Sequence, residues 1–60
     1  MSNYYNFIKG DTCIPQSGEL AGVLCFITDI QEYTYGIVYC VRELGGDRTD
    51  EIPQSEAGFP

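Results

Sequence analysis

The reactive side chains of this sequence are mainly carboxylates and thiols. Asp29 and Glu32 lie near its middle, and Asp47, Asp50 and Glu51 fall in one run of five residues. Clustered carboxylates suit general acid–base work or a hard cation. The run Asp47-Arg48-Thr49-Asp50-Glu51, however, lacks the alternating oxygen ligands and terminal glutamate of a calcium loop. It reads as a solvated loop entering an edge strand, where charge blocks sheet-to-sheet aggregation. Histidine is absent, which removes the commonest general base, the Cys-His and Ser-His pairs and the commonest neutral metal ligand. No glycine-rich phosphate loop followed by Lys and Ser or Thr is present either, so hydrolase and kinase chemistry has no residue set. No cofactor and no metal are expected.

The thiols Cys13, Cys25 and Cys40 are widely spaced and form no C-x-x-C pair. They read as reduced thiols of a cytoplasmic protein. Cys25 and Cys40 fall among Val, Phe, Ile and Tyr, where burial suppresses thiolate formation. Cys13, on a short strand ended by Pro15, is expected to be the most accessible.

Tyrosine combines a large apolar ring with a polar tip and is enriched at interfaces. Tyr33, Tyr35 and Tyr39 are expected on one strand face, with Glu32, Glu43 and Asp47 near their rim. Tyr4 and Tyr5 fall in an N-terminal arm, residues 1–6, expected to fold back over that face. Three Lys and Arg against nine Asp and Glu leave a net charge of −6, which repels nucleic-acid phosphates and anionic lipid and favours a basic protein partner. The competing reading is that the rings complete the core of a domain with few other large side chains. The apolar stretch 21–27 is far shorter than the roughly 20 residues that span a bilayer, so no membrane span is expected.

Sixty residues allow one domain, which buries only roughly 60% of its unfolded surface. A hydrophobic fraction of 43% and a charged fraction of 20% still favour a folded globule over disorder. No segment of a dozen residues has helical apolar spacing, so the class is all-β, four or five antiparallel strands. Strands are expected at residues 11–14, 22–30, 33–41 and 48–52, with the middle hairpin turning through Asp29-Ile30-Gln31-Glu32 and a second turn at Leu44-Gly45-Gly46-Asp47. Residues 54–60 are expected to be a tail, with one helical or 3₁₀ turn over 53–57 before it frays. The expected core is Val23, Cys25, Ile27, Ile37 or Val38, and Ile52. In both middle strands the even and the odd positions are apolar, which calls for a curled sheet or a second copy of the chain, as dimer or tetramer.

The succession Phe7-x-Lys9-Gly10-Asp11, Gly18-Glu19-Leu20-Ala21-Gly22-Val23-Leu24 and Tyr35-Gly36-Ile37-Val38-Tyr39-Cys40-Val41 resembles an SH3-like small barrel. The resemblance implies one such domain over residues 1–60 and hardly a function. Plasmid-borne dihydrofolate reductases with SH3-like subunits share the Gly-Asp opening, but their Val-Gln-Ile-Tyr segment has no counterpart in the Arg-Thr-Asp-Glu-Ile of residues 48–52. KOW-type nucleic-acid modules are similar over residues 10–27 yet usually basic. Tudor-like domains, with aromatic cages for methylated basic side chains, share the Tyr and acidic content without a diagnostic spacing. The reading is thus a non-enzymatic, self-associating protein-binding module. The alternatives are an acidic nucleic-acid mimic or inhibitor from a phage or plasmid, and an enzyme assembled only as a symmetric oligomer.

Overall fold

The β-branched and aromatic stretches do become strands, and turn residues rather than polar composition decide where each begins. The computed structural model describes residues 7–60. In chain order they form β1 (Thr12–Pro15), β2 (Cys25–Tyr33), β3 (Gly36–Glu43), β4 (Thr49–Pro53), a 3₁₀ turn (Gln54–Glu56) and β5 (Ala57–Gly58). The five strands are antiparallel in one open sheet of order β4-β3-β2-β1-β5. Tyr4, Tyr5 and the expected arm lie outside the described residues.

The middle hairpin turns later than its polar residues suggest. Tyr33 pairs with Gly36 across the two-residue loop Thr34-Tyr35, while Asp29, Ile30, Gln31 and Glu32 are paired within β2 opposite Cys40, Tyr39, Val38 and Ile37. The expected connection through residues 29–32 is therefore corrected. Gly36 sits at φ +141°, a conformation that only glycine adopts cheaply, so the glycine and not the acidic tetrapeptide fixes the turn. At the other end, β2 starts at Cys25 rather than Gly22. The preceding residues fold as turns, in which the Gly22 N–H donates to the Pro15 carbonyl (2.9 Å) and the Val23 N–H to that of Leu20 (3.0 Å).

Thr28 is an extra residue in β2, because Ile27 faces Val41 whereas Asp29 faces Cys40. Its hydroxyl donates to the Cys40 carbonyl at 3.2 Å. A one-residue slip exchanges the two faces downstream. Cys25 and Ile27 are buried, and beyond the bulge Ile30 packs on the same core. This is why apolar residues occupy both parities of β2.

The core gathers side chains from every strand. Cys13, Cys25, Ile27, Tyr39, Val41, Ile52 and Ala57 are buried, together with Phe7 and the loop residue Leu20. Of the expected core, Cys25, Ile27 and Ile52 are buried, Val23 and Ile37 pack at its margin, and Val38 is half-buried. Cys13 is fully buried, not the most accessible thiol, since β1 lies between β2 and β5 and Cys13 pairs directly with Cys25. The tail is likewise corrected: the anticipated turn is 3₁₀, and after it β5 pairs with β1 through Ile14–Gly58 and Pro15–Ala57.

At the centre, the Tyr39 hydroxyl donates to Gln54 Oε1 (2.8 Å) and accepts the Phe7 N–H (3.3 Å). The Phe7 and Tyr39 rings meet edge to face at 5.9 Å. Removing one partner from a buried hydrogen bond costs about 1–3 kcal/mol. Tyr39→Phe should therefore lower the free energy of urea unfolding by that amount, whereas Tyr35→Phe, at an exposed position, should change it by less than about 0.5 kcal/mol. Equal effects of the two substitutions would remove the bridging role assigned to the Tyr39 hydroxyl.

Candidate functional site

Tyr39 does not belong to a tyrosine face; it is fully buried. Placing the turn at Thr34-Tyr35 puts Tyr33 on β2 and Tyr39 on β3, so their spacing no longer sets a common face. Directly opposed residues of an antiparallel pair share a face. Tyr39, opposite Ile30 and Ile52, faces the core, whereas Tyr33 closes the hairpin opposite Gly36 on the outer side.

Tyr33 and Tyr35 do come together. Their rings stack with centroids 5.0 Å apart and planes 6° from parallel, and they stand 41% and 77% exposed. The Tyr33 hydroxyl donates to Gln31 Oε1, which fixes its ring along the outer face of β2. Burial first, then the nearby Tyr35 and Glu51, hold the Tyr33 phenol above its ordinary pKa.

The sheet register arranges the rest of this outer face in rows. Gln31, Val38 and Pro53 form one, Asp29, Cys40 and Glu51 the next, and Phe26, Arg42 and Thr49 a third. The Arg42 guanidinium lies 4.8 Å from the Phe26 ring centroid. Burial, then Glu51 and Asp29, push the half-buried Cys40 thiol up in pKa, so it stays protonated and weakly nucleophilic. Gln31, Asp29 and Glu51 were not anticipated beside the tyrosines. A turn read at Gly36 would have set the register that places them there.

The expected acidic rim is not built from the expected residues. Glu32 adjoins Tyr33 but opposes Ile37, a residue packed against the core, so it flanks the stack from the other parity. Glu43 ends β3 opposite Cys25, about 23 Å along the strand from the hairpin tip. There it is held by Arg48, whose Nε and terminal nitrogen donate to the two carboxylate oxygens at 3.0 and 2.9 Å. Asp47 is exposed in the neighbouring loop. The charges that do lie behind the stack belong to Asp29 and Glu51.

Among the described residues no cavity opens, no three His, Cys, Asp or Glu side chains converge as metal ligands would, and no helix is long and apolar enough to cross a membrane. The stacked rings and the carboxylates behind them thus lie on a shallow, open surface. No family model, curated protein or solved structure matches the chain.

The Arg48 hydrogen bond, outweighing burial, holds the Glu43 carboxyl below its usual range. A carboxylate with a lowered folded pKa contributes stability above the ordinary glutamate value of about 4.3 and loses it as pH falls through the folded value. Thermal melting between about pH 6 and pH 3 should thus fall more steeply for the native chain than for Glu43→Gln. Parallel curves would show that the pair adds no pH-dependent stability.

Proposed function

We propose that the chain is a non-enzymatic protein-binding module that meets a basic partner through the stacked Tyr33–Tyr35 pair and the acidic outer face behind it. The observation that carries this reading is the stack itself, an aromatic pair ordered at a hairpin tip with the Tyr35 ring largely exposed. Exposed, ordered aromatics are the usual anchors of protein interfaces, because they contribute large contact area while losing little side-chain freedom. The net charge of −6 steers basic surfaces toward the molecule. We also read the curled sheet as a small SH3-like barrel. Its support is a core drawn from all five strands around Tyr39.

Self-association belongs to the same reading. Phe26, Val38 and Cys40 stay only half-buried on the outer face, and Leu24 and Leu44 are exposed where their backbones meet. A second copy would cover apolar surface that a domain this small cannot bury alone. Sedimentation equilibrium at high micromolar concentration should give a dimer or tetramer; a stable 6.7 kDa monomer would exclude it.

The binding reading is tested by capture from a lysate of the cell that makes the chain, with the native chain and Tyr35→Ala compared on the same resin. Tyr35→Ala should weaken capture of a specific partner by about 2 kcal/mol while leaving the circular dichroism unchanged. Glu51→Gln should chiefly slow association and flatten its salt dependence. Capture that ignores Tyr35 and disappears steeply with salt would instead mark the chain as an acidic mimic.

A further inference from the structure

The geometry of the stack selects among basic side chains, an inference that rests on the reading of this face as a site for a basic protein. The two rings are 6° from parallel, so they form a flat platform and not the walls of a cage. A cage of crossed rings encloses a compact ammonium group, whereas a flat ring face matches a planar one. Tyr35, 77% exposed, has one face on Tyr33 and the other toward solvent. Tyr33 is in turn tied to Gln31, so the platform is preformed.

The same outer face already holds one such contact. Arg42 lies over Phe26 with its guanidinium carbon 4.8 Å from the ring centroid. The described segment from Gln31 through Ile37 contains no cation, and the carboxylates of Asp29 and Glu51 lie on the face behind the stack. An incoming cation therefore meets two carboxylates on that face against the single charge of Arg42, which lies one row further from the stack.

We propose that the Tyr33–Tyr35 stack is an arginine-selective docking point, on whose open Tyr35 face the guanidinium of an arginine in an extended basic segment of the partner lies flat. A guanidinium is more weakly hydrated than an ammonium and stacks on aromatic faces, so it loses less on leaving water than lysine does. The acidic face contributes attraction that does not distinguish arginine from lysine, and the ring contributes the distinction.

The test is a titration of the full ¹⁵N-labelled chain with capped hexa-arginine and hexa-lysine peptides, which carry equal charge, at about 150 mM salt. Hexa-arginine should shift the amides of Gln31 and of residues 33–36 and bind at least about threefold more tightly than hexa-lysine. Tyr35→Ala should abolish that preference with the remaining spectrum unchanged, and Tyr35→Phe, which keeps the ring, should retain it. Equal affinity for the two peptides, or shifts confined to the loop around Asp47, would overturn arginine selection while leaving the basic-partner reading standing. Binding of neither peptide would overturn both.

Discussion

The hydroxyl of Tyr39 is the constraint on which the rest of the fold depends. It sits in the middle of β3, fully buried, and joins the Phe7 backbone to the Gln54 side chain. Those three residues are far apart in sequence, so one polar atom ties the start of the described chain, the central strand and the 3₁₀ turn to a common point. A buried phenol without partners would be costly. The turn must therefore stay where Gln54 can reach, and β5 must follow immediately after it to pair with β1. Among the described residues no buried side-chain nitrogen or oxygen lacks a partner, consistent with a small core that tolerates polarity only at this paired position.

The all-β class was legible from β-branched and aromatic content, and so was a single turn, helical or 3₁₀, after Pro53. The faces were not, for two physical reasons. Thr28 is neither Gly nor Pro, and nothing in its local sequence marks it as the residue that interrupts the alternation, yet its insertion moves Ile30 to the core side. The turn was hidden because Asp29, Gln31 and Glu32 have turn-like polarity while the actual loop, Thr34-Tyr35, has strand-like residues; only Gly36 betrays it. These two features together decide why Tyr39 is core and Tyr33 is surface. Periodicity alone assigns both to one side.

Several carboxylates, Asp29 and Asp50 among those that looked available for chemistry, have backbone or ion-pair roles. Asp50 accepts the N–H of Glu51 at 2.9 Å, Asp29 accepts that of Ile30 at 3.0 Å, and Asp11 accepts that of Ile8 at 3.0 Å. In β4, an edge strand, the Asp50 contact and the missing N–H of Pro53 reduce the donors that another chain could pair with. This disfavours strand addition at β4. Glu43 is committed to Arg48 at the far end of the hairpin. The acidity that remains for steering is thus unevenly placed, with Asp29 and Glu51 on the outer face.

A chain of this size has few large side chains, and each must be buried, covered by a neighbour or left in water. Tyr39 takes the first course. Tyr33 takes the second, covered by Tyr35 and anchored to Gln31. Tyr35 covers one ring face on Tyr33 and leaves the other open, and no contact of the core or the sheet accounts for that open face. An aromatic in the loop is not needed to turn the chain, since a two-residue turn accepts small polar residues and Gly36 already supplies the unusual backbone angle. Fold stability therefore explains Tyr39 fully and Tyr33 in part. The exposed face of Tyr35 is the part of the ring that the fold leaves unexplained and that the proposed recognition role would use.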